Sequence, residues 1–388
     1  MLYSSVLELS RSALKKNLRF IRDRLTPQTS FCSVVKGNAY GHGIDTFLPL
    51  AEEFGVRCFA VFSADEALQA CKARRDDSEV IIMGALEKDQ LDWVIENEVS
   101  FYVFGLTRLR AAIDAAQRVG KPAKIHIELE TGLNRMGLYG EGLDEAINLI
   151  RTHPQQIEVA GVCTHFAGAE SVGNYLRIQN QIQLFHESTD YLEREGIPIT
   201  RRHTASSAAT FTYPETQMEM VRVGIAQYGF WPSQETRMHY FLNAGQPAGK
   251  RIKDPLQRVI SWKSYVMNVK EVPPGEFVSY GTSYLTTRRQ RIASIPVGYY
   301  HGFVRGLSNL GHVLIRGKRA QVVGLVNMNM MMIDVTDIGG VEVGEEVVLI
   351  GKQGKQQISV ASFSDIARLL NYEALVRIPS DIPRVVVE

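Results

Sequence analysis

The stretch "SVVKGNAYGHG", residues 33–43, ends a short apolar run on one amine, Lys36, and follows it with three glycines in seven residues. An amine at the end of a strand can attack a carbonyl and hold it as a Schiff base when its surroundings favour the neutral form. The glycines would let a ligand approach the backbone closely. The same residues also read as a strand, a surface lysine and a permissive turn. Three further polar segments carry groups that could take part in chemistry. His165 lies in "CTHFAGAE", Ser206 and Ser207 in "HTASSAA", and Arg222, Gly224 and Ile225 in "VRVGIAQYG". Taken singly, the serines read as helix N-caps and the histidine and arginine as satisfied structural residues.

What could bring these groups together is the order of elements. Eight β-branched runs recur in the first 230 residues, at 29–36, 56–63, 79–84, 99–105, 123–130, 157–166, 201–207 and 220–229. Segments with helical spacing separate them, such as "SADEALQACKARR". Short strands alternating with helices predict parallel βαβ units, and eight of them predict a (β/α)8 barrel. An open doubly wound sheet is disfavoured, because no GxGxxG follows the first run. Past residue 235 the pattern turns polar and is broken by Gly and Pro, and then strand-like runs dominate. The fold class expected is α/β, a (β/α)8 barrel followed by a mainly antiparallel β domain. The boundaries expected are an N-terminal strand at 1–10 packing with the C-terminal domain, a barrel at 11–240 and a β domain at 241–388. One helix-like stretch, residues 360–376, interrupts the later strands.

In a barrel the C-terminal strand ends share one rim, where the βα loops gather. Lys36, His165, Ser207, Arg222, Gly224 and Ile225 all fall at such ends. Ser207 and the backbone N–H groups after Gly224 could cradle a phosphate at the last two strands. A phosphate cradle with a lysine opposite suggests pyridoxal 5'-phosphate, an electron sink for a carbanion at an amino-acid α-carbon.

Composition sets the outer limits. The 388 residues are 45% hydrophobic and 22% charged, with a net charge of +1. That charge favours neither nucleic acid nor an anionic membrane. The N-terminal segment lacks the apolar core of a signal peptide, and no run of about 18 apolar residues could span a bilayer. Cys32, Cys58, Cys71 and Cys163 form no CxxC pair. They read as buried free thiols, which fits a cytoplasmic protein.

With these residues in view, the sequence resembles the alanine racemases over nearly its whole length. "VVKGNAYGHG", "THFAGAE", "HTASSAA", "VRVGIAQYG", "VSYGTSY" and "IPVGYYHG" are similar to that family's motifs and stand in the family's order. The resemblance implies that Lys36 binds the cofactor covalently and that Tyr40, Ser207, Gly224 and Ile225 hold its phosphate. It implies Arg222 at the pyridine nitrogen, with His165 linking Arg222 to Tyr280. Arg135, in "ETGLNRMG", would reach the cofactor's phenolic oxygen and the substrate carboxylate. Met328 would offer its backbone N–H to that carboxylate, and Tyr299 would line the entry. Tyr280 would be the second base, supplied by the other chain of a homodimer.

Physical reasoning fits this assignment. Inverting a stereocentre needs a proton removed from one face and returned to the other, and Lys36 and Tyr280 could serve the two faces. A phenol with a pKa of roughly 10 is about three units from neutrality, or about 4 kcal/mol, so Tyr280 would need positive charge nearby. A fixed charge on Arg222 would disfavour a pyridinium and curb side reactions.

Three positions depart from the family's pattern. Glu128 stands where many members carry a carbamylated lysine, and a carboxylate there could pair with Arg135 without CO2. Asn327 to Asn329, "NMN", replaces the usual Cys-Met-Asp. Ser380 replaces a tyrosine that crowds the substrate side chain, unless Phe303 fills the gap, so serine or larger amino acids join alanine as candidate substrates. The competing readings are a broad-spectrum racemase, a basic amino-acid decarboxylase, a non-catalytic pyridoxal-phosphate-binding protein and a metal hydrolase using His42, His165 and His203. No cysteine beyond Cys163 is available for a decarboxylase of this type.

Overall fold

The computed structural model describes residues 3–243, 253–362 and 371–388. The chain divides into two compact units, Ala13–Lys36 with Leu48–Gln257, and Met1–Ser12 with Gly37–Phe47 and Arg258–Glu388.

The larger unit is a nearly closed barrel of eight parallel strands, as the alternation of short strands and helices predicts. The sheet begins with β2 (Ser30–Val34), β3 (Cys58–Val61), β4 (Glu79–Ile82) and β5 (Ser100–Val103), after an N-terminal strand β1 (Ser5–Ser10). It continues through β6 (Ala123–Glu128), β7 (Ile157–Cys163), β8 (Arg202–His203) and β9 (Met220–Val223). The strand order is β8-β7-β6-β5-β4-β3-β2-β9. The remaining seam, between β8 and β9, carries one backbone bond just past β8, from Arg222 N–H to the Ala205 carbonyl at 2.9 Å. Strands such as β3 and β5 are buried along their whole length, as a sheet covered on both faces requires. The helix Leu106–Val119 illustrates the outer layer. Leu109, Ala112, Ile113 and Ala116 recur at helical spacing on its buried face, and Gly120 at φ 74° ends it.

Two local readings differ from the sequence pattern. The seventh strand is two residues long, because Glu219 takes the Arg202 amide and side chain in place of a longer ladder. Within the polar stretch after residue 232, Gln234–Asn243 is a helix. Ser233 Oγ accepts the Thr236 N–H at 3.0 Å, and the Tyr240 ring packs 5.1 Å from Trp231.

The smaller unit holds two sheets, and most of its pairings are antiparallel. β1 pairs antiparallel with β10 (Ile260–Tyr265), placing Ser5 opposite Ser264 and Leu9 opposite Ile260. The order is completed by β13 (His312–Ile315), β14 (Lys318–Gln321), β16 (Glu346–Gln353), β17 (Gln356–Ile358) and β18 (Arg384–Val387), with β1 parallel to β18. The second sheet runs β11 (Asn268–Val272), β12 (Gln290–Ile295), β15 (Met331–Asp334). Strict alternation in β1 and β10 turns Leu7, Leu9, Ile260 and Trp262 into the core. The helix-like stretch 360–376 lies partly outside the described residues, and Asn371–Val376 is helical. No helix among the described residues is long and apolar enough to cross a membrane.

Candidate active site

In the barrel unit the predicted residues gather at the strand ends. Lys36 leaves the sheet two residues after β2, and Val35 is still tied to it by its N–H to the Ala60 carbonyl at 2.8 Å. Withdrawal from water lowers the Lys36 amine below its ordinary pKa, as do the positive charges of Arg135 and Arg222, while Glu66 opposes them. His165 is half-buried and pushed down to about 3, first by burial and then by Arg222, Arg135 and Lys36. One field therefore links these four side chains. Ser207 opens the helix Ser207–Thr212, and its Oγ accepts the Gly224 N–H at 3.0 Å. This bond ties the end of the seventh strand's loop to the turn after β9. Ile225, next in that turn, is buried.

Arg222 is buried and its orientation is over-determined. Nη1 lies 2.7 Å from His203 Nδ1 and also donates to the His203 carbonyl. Nη2 donates to the carbonyls of Thr164 at 2.8 Å and Thr204 at 3.3 Å. The histidine bonded to Arg222 is His203, which reaches it from the neighbouring strand. Among the described residues His165 makes no hydrogen bond to Arg222, whose charge acts on it through space. His203, weighed above only as a metal ligand, is buried and 2.8 Å from His126, so its ring nitrogens are occupied within the protein. No group of three or more His, Cys, Asp or Glu among the described residues could hold a metal ion.

Glu128 ends β6 and is buried, and its Oε2 has no hydrogen-bond partner. Burial raises its pKa, with Arg222 and Arg135 opposing. The expected ion pair with Arg135 is not formed among the described residues. The neighbouring Glu130 organises that loop instead, accepting the N–H groups of Gly132 at 2.5 Å and Arg135 at 3.3 Å. Glu130 follows β6, where alternation no longer sets a side chain's face. His126 and Tyr102, both buried beside His203, were passed over by sequence reasoning. The signal available was a polar residue alternating with Ile125 and Ile127 along an otherwise apolar strand.

The smaller unit carries the other predicted residues. Gly37, Asn38, Ala39 and Tyr40 form one left-handed turn, with φ of 62°, 52°, 54° and 51°. Each of the three residues with a side chain costs roughly 1–2 kcal/mol in that conformation, least for Asn. The Asn38 Oδ1 accepts the Ile44 N–H at 2.9 Å, and the Arg384 guanidinium donates to the Gly41 carbonyl at 2.9 Å. Tyr40 lies in this turn, its ring 6.0 Å from Tyr372. Tyr280 is 72% exposed between two left-handed residues, Ser279 and Gly281. Ser279 Oγ donates to the Leu325 carbonyl at 2.9 Å and lies 3.2 Å from Asn327 Oδ1, so "NMN" holds the Tyr280 turn by a neutral contact. Tyr299 and Met328 are adjacent. The Tyr299 and Tyr300 N–H groups donate to the carbonyls of Asn327 and Met328, each at 3.0 Å. Ser380 is exposed on a turn whose neighbour Asp381 receives the Tyr300 hydroxyl at 3.3 Å. Phe303 is fully buried with its ring 6.3 Å from Trp262, so it serves the core of this unit.

Two family models match the chain, the alanine racemase N-terminal domain over residues 9–232 and the alanine racemase C-terminal domain over residues 259–386. An alanine racemase of Leptospira interrogans is 34% identical over 388 residues, covering 100% of this chain and 96% of its own. One from Methanococcus maripaludis is 36% identical over 379 residues, covering 97% of each. Among solved structures, the alanine racemase of Clostridium difficile 630 superposes with a TM-score of 0.89 at 28% identity, covering 100% of this chain and 96% of that one. That of Bacillus anthracis, with bound L-Ala-P, gives 0.88 at 30% identity with the same coverage. Motif order, barrel rim and whole-length likeness agree, and the chain belongs to the alanine racemase family, whose members are isomerases.

Proposed function

We propose that this protein interconverts L- and D-alanine by a two-base mechanism, with Lys36 of one chain and Tyr280 of a second copy serving opposite faces of the substrate. The alanine racemase family is pyridoxal-phosphate dependent. When bound, that cofactor withdraws electrons from the substrate α-carbon and so makes its proton removable. The observation that carries the reading is the convergence at the barrel rim, where the charges of Arg222 and Arg135 both bear on Lys36 and His165.

These residues fit the cofactor. Lys36 is an amine whose pKa lies below its ordinary value, which eases its attack on a carbonyl. Ser207, Gly224 and Ile225, with Tyr40, are the proposed phosphate holders, and the Ser207–Gly224 bond supports this by fixing two loops together. Arg222, pinned by His203 and two threonine carbonyls, would keep a permanent positive charge at the pyridine nitrogen. Arg135 and the Met328 N–H would bind the substrate carboxylate, and Tyr299 would line the entry. The exposure of Tyr280 is what a residue needs in order to complete another chain's site in a homodimer. The barrel is taken as 11–240 and the β domain as 241–388, with residues 1–10 contributing a strand to the latter. Four free cysteines support a cytoplasmic location.

A relaxed side-chain specificity, extending to serine, is supported by the exposed Ser380 and the buried Phe303. The test is racemisation of each common amino acid followed by chiral chromatography. Alanine should be turned over by the wild-type enzyme and not by Lys36→Ala. Tyr280→Phe in D2O should admit solvent label into one enantiomer selectively. A wild-type enzyme that leaves alanine untouched would refute the proposal.

A further inference from the structure

The polar residues inside the barrel form a file with a direction. Arg222 Nη1 lies 2.7 Å from His203 Nδ1, and His203 Nε2 lies 2.8 Å from His126 Nδ1. A guanidinium offers no lone pair, so His203 Nδ1 must accept and that ring's proton must sit on Nε2. That N–H then donates to His126 Nδ1, which must accept in turn. The proton of His126 is therefore also on Nε2. There it has no hydrogen-bond partner, and the Glu79 carboxylate stands 3.9 Å away. Glu79 is itself held by Arg201 at 2.7 Å. Both imidazoles are fully buried and meet edge to face, 4.9 Å between centroids.

The geometry also forbids a second proton on either ring. A protonated His203 would aim an N–H at the N–H of Arg222, and a protonated His126 would aim one at the Nε2–H of His203. Two tautomers are thus selected by one arginine, through nothing but donor and acceptor counting.

We propose that His203 and His126 are positioning residues for Arg222, two neutral imidazoles locked as Nε2–H tautomers that carry the orientation of the guanidinium back through the barrel toward Glu79. This rests on the reading of Arg222 as the group facing the cofactor, because only then does its orientation matter to the reaction. His203 supplies the acceptor that holds Nη1, and His126 supplies the acceptor that keeps His203 in the required tautomer.

The test begins with cofactor-free protein labelled with 15N-histidine. NMR should show, for both rings, a protonated Nε2 and a bare Nδ1, unchanged between pH 8 and pH 5.5. A proton on Nδ1 of either ring, or conversion to imidazolium in that range, would overturn the proposal. The second arm compares two variants. His126→Leu removes the acceptor and should lower kcat for alanine about tenfold while KM moves less than twofold, as expected when a buried donor loses its partner. His126→Asn, whose side-chain oxygen can take the place of Nδ1, should restore most of that loss. Wild-type kcat in His126→Leu would overturn the positioning role. Intact tautomers in a wild-type protein that racemises nothing would instead overturn the functional reading, so the two failures are distinguishable.

Discussion

Lowering the pH from 7 to 5 should weaken the barrel unit well before its carboxylates are neutralised. Burial pushes His126 and His165 down to about 3 and His203 well below its ordinary value, with Arg222 acting in the same direction on all three. The unfolded chain titrates these imidazoles near 6.5. A depressed folded pKa means that the stability they contribute is present above about 6.5 and is lost as the pH falls toward about 3. One such group loses about 2 kcal/mol between pH 7 and pH 5, and three lose about 6. Glu128 works the other way. Its pKa is raised by burial, so the folded state takes up a proton first and recovers part of the loss. The net uptake on unfolding below pH 6 is therefore between two and three protons, a slope of about 2.7–4.1 kcal/mol per pH unit. Urea unfolding of cofactor-free protein at half-unit steps, followed by tryptophan fluorescence, measures it. His126→Asn should flatten the slope by about one proton, and Glu128→Gln should steepen it. A midpoint constant between pH 7 and pH 5, or a His126→Asn slope equal to wild type, would refute the reasoning.

Three further outcomes are expected. Because Glu128 occupies the position where a lysine would need CO2 to form a carbamate, racemisation should be equal in degassed and bicarbonate-supplemented buffer, and a loss on degassing would show that another group takes up CO2. Ser380→Tyr should lower the serine-to-alanine ratio of kcat/KM about tenfold, in line with roughly 1–3 kcal/mol of discrimination per methylene-sized change, and an unchanged ratio would place Ser380 outside the pocket. Gly41→Ala should cost more than Gly43→Ala in thermal unfolding. Both sit at positive φ, but a Cβ on Gly41 would lie 2.1 Å from the Leu375 carbonyl oxygen, whereas one on Gly43 would meet the flexible Arg384 side chain at 3.3 Å. The shared backbone cost is roughly 1–2 kcal/mol and the clash adds to it only at Gly41. Equal losses would mean that the Leu375 contact does not bear on stability.

The barrel was legible because its strands are buried on both faces and so appear as short apolar runs between amphipathic segments. The rim groups were legible for a related reason. Lys36, Ser207 and Arg222 interrupt apolar runs just where strands stop, and a polar group there needs an explanation. The His126–His203 pair was harder to see. Each histidine is unremarkable in its own strand, and the pairing depends on which neighbours a barrel brings across its lumen. The Glu128–Arg135 expectation failed where alternation along β6 ended, since a carboxylate two residues on could turn to the loop amides. The glycines after Lys36 make the turn look permissive, yet three of the six residues at positive φ between 37 and 43, Asn38, Ala39 and Tyr40, are not glycine. Its shape is fixed by partners far along the sequence, such as Arg384, and no local pattern announces those.

That last dependence affects how the chain assembles. Residues 37–47 lie between the first two strands of the barrel, yet they belong to the compact unit built from residues 258–388. The guanidinium that fixes the Gly41 carbonyl is 343 residues further on. A ribosome would deliver every strand of the barrel before it delivers Arg384, so the barrel's first connecting segment must wait, unsupported, through most of synthesis. Contacts of such sequence separation form slowly, because a long loop must close before it is rewarded. The left-handed turn that follows Lys36 should therefore be among the last features to lock. A nascent chain would acquire its barrel strands first and the shape of the segment that follows Lys36 only when the final strand is in place.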